Sequence, residues 1–219
     1  MPNLYTWVNR RLGIMPGLSY VVHRKIPAGV NWLYTFGSAT FFLFMLQAIT
    51  GGLLAIYYSP SPDHAYASVQ YTTQEVAFGS LIRGIHHWAA SGMIVAVIAH
   101  MLRVFFMAAY KYPREMSWMV GVVLLVLTLL FGFTGYLLPW DEKAYWATVV
   151  GTELAGSAPL VGDWTMRVLR GGSELGALTL NRFYAMHVML LPMAATVLVT
   201  VHVLMVIRQG ISYPPRRDE

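Results

Sequence analysis

Four stretches of this chain, at roughly 33–57, 80–107, 116–138 and 179–207, are each long and apolar enough to cross a bilayer. A hydrocarbon core of ~30 Å takes about 20 helical residues. Inside lipid every backbone polar group must be paired within the segment, so each stretch is expected to be a helix. Composition agrees: of 219 residues, 57% are hydrophobic and 11% charged, where soluble domains carry about a quarter. The expected fold is an all-α integral membrane protein, a four-transmembrane-helix bundle with short interfacial helices, forming one membrane domain over 1–219. No short apolar leader with a cleavage site precedes the first span, so the chain is expected to insert through its own helices.

Prolines punctuate the pattern where hydropathy ends the spans. Pro60 and Pro62 close the first and Pro113 the second, since proline lacks the N–H a helix needs and disfavours helix before it. Ahead of the first span lies an N-terminal interfacial segment, 1–32. Within it, residues 3–14 place Leu4, Trp7, Val8 and Leu12 at helical spacing behind Asn3, and end near Gly13 and Pro16, the pattern of a helix lying in the membrane interface. The connection over 139–178 is long enough to be functional. It is expected to form a lid of surface helices, with Asp163 capping one and Gly171–Gly172 ending it.

The net charge of +5 does not mark a nucleic-acid binder, because the basic residues follow membrane sidedness. Arg10, Arg11, Arg24, Lys25, Lys111, Arg114, Arg208, Arg216 and Arg217 fall on one side of a four-span chain. Asp63, Glu75, Asp141, Glu142, Glu153, Asp163 and Glu174 fall on the other, and residues 59–79 contain no Lys or Arg. The positive-inside rule then puts both termini on the negative (n) side and the long connection on the positive (p) side.

The chain has no cysteine, so disulfides, iron–sulfur ligation and thioether attachment of haem are excluded within it. It does carry His86 and His100 in the second span, fourteen residues apart, and His187 and His202 in the fourth, fifteen apart. Four helical turns cover about 21 Å, so each pair occupies one side of its helix at two depths. The two spans run in opposite directions, which matches His86 with His187 toward the p side and His100 with His202 toward the n side. An ionisable group inside a membrane is a functional candidate by default. A single histidine there could equally bond a backbone carbonyl; four at matched depths, without thiolate or carboxylate, suit bis-imidazole ligation of two haem irons.

Gly37 and Gly51 in the first span and Gly121 and Gly135 in the third repeat the fourteen-residue interval. They predict bare backbone opposite each haem face at each level, in competition with ordinary small-residue helix packing. Haem propionates need cations near the membrane edge. Arg83 and Arg182 toward the p side, and Arg103 and Arg114 with Lys25 and Arg208 toward the n side, are the candidates; snorkelling to headgroups competes for each. His23, His64 and His87 have no assigned ligand role, and His87 points about 100° away from His86 round the helix.

ASVQY (67–71), FGSLIRGIHHW (78–88), PREMSW (113–118), GVVLLVLTLLFGFTGYLLPWD (121–141), VLRGG (168–172), TLNRFYAMH (179–187) and RQGIS (208–212) together resemble the cytochrome b/b6 family of bc/b6f-type quinol oxidoreductases. The likeness covers nearly the whole chain and is nearest the b6-like branch, whose fourth-span histidines are fifteen rather than fourteen apart.

That resemblance implies a di-haem b-type cytochrome subunit of a quinol:cytochrome c/plastocyanin-type oxidoreductase complex. It implies His86 and His187 on the p-side haem iron and His100 and His202 on the n-side one. Both haems are non-covalent, quinol and quinone are the substrates, and turnover is coupled to proton translocation. The implied partners are a Rieske iron–sulfur protein, a c-type cytochrome or its equivalent, a subunit IV-like second cytochrome b fragment, and a second copy of the complex. The quinol site would draw on the GYLLPWD region, with Phe133, Tyr136 and Trp140 as lining residues, where general aromatic packing is the competing reading.

Two departures stand out. Thr35 occupies the place of the cysteine that attaches an additional haem in typical b6 proteins, so no covalent haem is expected, and His87 stands where an arginine is usual. Both point to the bacterial cytoplasmic membrane rather than the thylakoid. Two alternatives stay open on sequence: a di-haem membrane anchor of a dehydrogenase or hydrogenase, and a non-redox channel or scaffold.

Overall fold

The computed structural model describes residues 4–13, 19, 23 and 26–213. Asn3, Pro16, Arg24, Lys25, Arg216 and Arg217 lie outside the described residues. Among those described, every regular element is helical. In chain order they are α1 (Leu4–Leu12), a 3-10 turn (Trp32–Thr35) leading into α2 (Phe36–Ala55), α3 (Ala65–Gln74), α4 (Gly79–Phe106), α5 (Glu115–Leu137), α6 (Glu142–Gly156), α7 (Gly162–Arg170) and α8 (Ala177–Ala185). A π-turn (Met186–Leu190) then joins α8 to α9 (Leu191–Gln209).

Four of these are long and apolar enough to span a membrane: Trp32–Ala55, Gly79–Phe106, Glu115–Leu137 and the composite Ala177–Gln209. They fall within one or two residues of the expected boundaries, and the chain is a multi-pass membrane protein. Their outer surfaces stay apolar: Ile49, Val95, Phe106 and Val197 are all well exposed, as lipid-facing side chains must be. Glycine-bearing α2 packs chiefly on histidine-bearing α4, and α5 chiefly on α9. The bundle is thus two similar helix pairs, with α3, α6 and α7 gathered at one end, the loop end, and both ends of the described chain at the other, the terminal end.

Local chemistry sets the lid. Asp141 Oδ1 accepts from the Ala144 N–H at 2.8 Å and caps α6, filling one of the orphan donors of a helix start. Asp163 does not cap α7 as expected: Val161 takes that position, and Asp163 sits inside the first turn, paired with Arg167 at 3.0 Å. Placing a carboxylate one position further in serves the helix dipole and an i,i+4 pair instead. Gly171 ends α7 with φ of 81°, as expected, a left-handed conformation that glycine adopts without a Cβ penalty.

Arg170 ties the two lid helices together, Nε donating to Thr152 Oγ1 at 2.8 Å. Thr179 anchors the lid to the fourth span by donating to the Arg170 carbonyl at 2.6 Å. Under the lid, Leu180 and Phe183 are almost completely buried, worth roughly 1.5–3 kcal/mol each.

Tyr58 closes the seam at the end of the first span. Its O–H donates to the Leu138 carbonyl at 2.6 Å and its ring stacks on Tyr184 at 5.2 Å. Burial, reinforced by Tyr184, pushes the phenol above its usual range, so it remains a donor to a carbonyl that the ending helix leaves without a partner.

Candidate functional site

All four span histidines lie inside the bundle, and each rests against a glycine of the neighbouring span. A Cβ built on Gly51 would meet His86 Cε1 at 3.0 Å, and one on Gly37 would meet His100 Cε1 at 3.0 Å. On the other helix pair, a Cβ on Gly135 would meet His187 Cε1 at 2.7 Å, and one on Gly121 would meet His202 Cε1 at 3.5 Å. Each glycine was expected opposite a haem face, and the structure sets each one against a histidine at its own level. What each bare backbone faces is the imidazole ring of the neighbouring span. These contacts rank the glycines: Gly135→Ala is expected to cost about 1–3 kcal/mol as an overpacked ring site, while Gly121→Ala is close to neutral. Thermal melts of the two variants in detergent check that order.

His86 and His187 form the loop-end tier, their ring centroids 6.4 Å apart and their planes at 77°. Less the two ring radii, this leaves about 4 Å between facing edges, room for one metal at twice a metal–imidazole bond of ~2.0–2.1 Å. Among the described residues no three of His, Cys, Asp and Glu converge on a point, so the donor set is two imidazoles rather than a zinc-type cage.

Hydrogen bonding in this tier favours one tautomer. Thr50 Oγ1 lies 2.9 Å from His86 Nδ1 and donates its own proton to the Leu46 carbonyl at 2.7 Å. Thr134 Oγ1 repeats both contacts, 2.9 Å to His187 Nδ1 and 2.8 Å to the Leu130 carbonyl. A hydroxyl has one proton to give. When it goes to the helix carbonyl, each threonine accepts from Nδ1–H, and Nε2 of the neutral ring carries the free lone pair. A bare Nε2 is what a metal ligates. Gln47 Nε2 adds a bond to the His86 carbonyl at 2.7 Å, and the Phe131 ring meets His187 edge-on at 5.7 Å.

His100 and His202 form the terminal-end tier, and both Nδ1 atoms are buried without a hydrogen-bond partner. The Ser117 carbonyl approaches His202 but misses hydrogen-bond geometry. Buried polar atoms left unpaired in this way mark a site whose full complement includes something else.

The arginine candidates separate. Arg103 lies over the Tyr34 ring at 4.0 Å and reaches Ser212 Oγ at 3.5 Å, and Arg114 donates to the Gln209 carbonyl at 3.4 Å. The Nε atoms of both stay buried and unpartnered, Arg103 one turn past His100 and Arg114 about two turns before Gly121. Arg83 is exposed one turn before His86, and Arg182 is committed to the lid through the Val168 carbonyl. His87 faces outward against Trp88. Phe133 is packed between Gly151 of α6 and Phe183 of the fourth span, Tyr136 is exposed, and Trp140 meets Tyr145 edge-on at 5.9 Å. Gln47, Thr50, Phe131 and Thr134 escaped the sequence reading. Their signal is the Thr–Gly dipeptide at 50–51 recurring 84 positions later at 134–135, the same offset that relates Gly37 to Gly121.

Two pairs of inward imidazoles stacked between glycine-bearing helices define a membrane bundle with paired nitrogen donors at two levels. The family model "Cytochrome b/b6/petB" matches residues 21–210, and the chain belongs to that family, as a cytochrome b subunit of the bc/b6f type. It is 47% identical to the menaquinol:cytochrome c reductase cytochrome b subunit of Geobacillus thermodenitrificans, over 96% of this chain and 98% of that one. It is 45% identical to cytochrome b6 of Heliobacterium mobile over 95% and 99%. A solved structure titled "Hyperthermophilic respiratory Complex III" superposes with a TM-score of 0.87 at 30% identity, covering 97% of this chain and 58% of that one.

Proposed function

We propose that this chain binds two haem b groups without covalent attachment, one between His86 and His187 and one between His100 and His202, as the membrane-crossing electron path of a quinol-oxidising bc/b6f-type complex. The observation that carries it is the two-tier arrangement of four imidazoles, each set against a glycine, with a threonine hydroxyl on each Nδ1 of the loop-end tier. Each haem supplies reversible one-electron transfer, and the tiers lie about 21 Å apart along the helices.

The loop end is read as the p side and the terminal end as the n side, from the charge asymmetry. Quinol oxidised at the p side gives one electron to a Rieske iron–sulfur protein and the other to the loop-end tier. The second would cross toward quinone near Arg103 and Arg114, where two such electrons, from two quinol oxidations, and two protons from that face make quinol, while quinol oxidation releases protons on the other face. Menaquinol is the form favoured by two relatives whose names carry it. Phe133, Tyr136 and Trp140 stand nearest the p-side quinol, Phe133 as a packing wall and Trp140 at the loop edge.

The remaining partners are a c-type cytochrome, a subunit IV-like fragment and a second copy of the complex, in a bacterial cytoplasmic membrane. Thr35 spends its hydroxyl on the Trp32 carbonyl at 2.7 Å and has no thiol for a thioether. The chain is proposed as one membrane domain over 1–219.

A pyridine haemochrome assay on the detergent-purified complex, with a haem stain of the denatured chain, tests this reading. Two extractable haems b per chain and no stained band are the expected result. None extracted overturns the haem assignment, and a stained band overturns the inference from Thr35.

A further inference from the structure

The two tiers differ in one respect beyond their histidines and glycines. Both loop-end imidazoles hold Nδ1 within 2.9 Å of a threonine hydroxyl oxygen. Both terminal-end Nδ1 atoms are buried with no partner. Sequence accounts for the difference, because the residue before each contact glycine is Thr50 or Thr134 at the loop end and Phe36 or Val120 at the terminal end. A residue one position ahead of the glycine that faces the ring is well placed to reach the ring's far nitrogen, and only at the loop end does it carry an oxygen.

An acceptor on Nδ1–H makes the opposite nitrogen a better electron donor and holds the ring in one tautomer and orientation. Stronger donation stabilises the oxidised, more positive iron over the reduced one, so a haem ligated this way resists reduction more than one whose ligands lack the bond. Each threonine hydroxyl also reaches a carbonyl of its own helix, Leu46 or Leu130, and a hydroxyl that donates there offers a lone pair to the Nδ1 proton. The two threonines bear on the two imidazoles of one tier, so at a shared iron their effects would be cumulative.

We propose that Thr50 and Thr134 are positioning residues that hold His86 and His187 in the iron-ligating tautomer and lower the midpoint potential of the loop-end haem alone. This rests on the di-haem reading above, and the test separates the two.

The purified complex is compared as wild type, Thr50→Val, Thr134→Val, the double variant and Thr50→Ser. Haem b per chain is measured by pyridine haemochrome and the two midpoints by optical redox titration. Valine keeps the threonine shape without its oxygen, and serine keeps the oxygen. The loop-end component is identified as the one that survives in His100→Leu.

The expected result is a positive shift of that component in each valine variant, a larger one in the double variant, no movement of the other component, and restoration by serine. Where haem is released instead, a weakening of roughly 10–100-fold in the valine variants, with serine retaining haem, also supports the assignment.

Unmoved potentials with both haems bound overturn it, as do equal shifts of both components, a serine variant that behaves like valine, and haem loss in serine and valine alike. A wild-type chain with fewer than two haems instead sinks the di-haem reading on which the proposal stands.

Discussion

Replacing His100 by leucine is expected to halve the haem content and leave the loop-end haem in place. Leucine has nearly the bulk of imidazole, and the Nδ1 it removes is already without a partner, so no buried donor or acceptor is stranded by the change. The Gly37 backbone that the ring faces receives an apolar side chain. The loop-end tier is held by bonds that His100 does not touch: Thr50 to His86, Thr134 to His187, and Gln47 to the His86 carbonyl.

Reduced-minus-oxidised spectra normalised to the chain should show half the wild-type amplitude, and rapid mixing with quinol should reduce the remaining haem without onward transfer. Loss of both haems would mean the tiers are one cooperative site; loss of neither would remove His100 from the ligand set. His86→Leu should give the mirror result, retaining only the terminal-end haem.

The spans were legible because lipid removes most alternatives: a backbone that must pair internally over ~30 Å leaves a helix and little else. Histidine depth followed from helical rise alone, and the matching glycine interval suggested bare backbone for haem faces, without announcing that Gly37, Gly51, Gly121 and Gly135 each meet an imidazole ring. Orientation at atomic scale was not legible. Thr50 and Thr134 look like any threonine bonding its own helix until the neighbouring span brings a ring nitrogen to the same oxygen.

Asp163 has the residue type of a cap, but tertiary packing of the lid shifted the helix start by two positions. Arg182 reads as a propionate cation from spacing, and the structure commits it to the lid. The lid's course over the fourth span depends on contacts between residues far apart in sequence, such as Thr179 with Arg170, which no local pattern announces.

Deleting Met189 is expected to leave both haems bound, whereas deleting Val95 is expected to remove at least one. In a regular α-helix each residue turns the chain by about 100° and advances it ~1.5 Å. Fourteen residues place His86 and His100 about 40° apart round α4, while fifteen would place His187 and His202 about 60° apart in the opposite sense. Yet the fourth-span rings face Gly135 and Gly121, which are fourteen apart on a regular helix.

The discrepancy of one residue is absorbed at Met186–Leu190, where the Leu191 N–H reaches back to Met186 instead of His187, a π-turn that takes up one extra residue per bulge. Pro192 favours it, having no N–H for the Val188 carbonyl. Removing Met189, a lipid-facing residue, therefore converts the π-turn to ordinary helix and preserves the register of His202 with Gly121. The second span has no such slack: without Val95, His100 turns about 100° away from Gly37 and retreats ~1.5 Å. Haem per chain in the two deletion variants, each compared with wild type, reads the result directly. Loss of the terminal-end haem on deleting Met189 would show that the fifteenth residue is needed for the register itself.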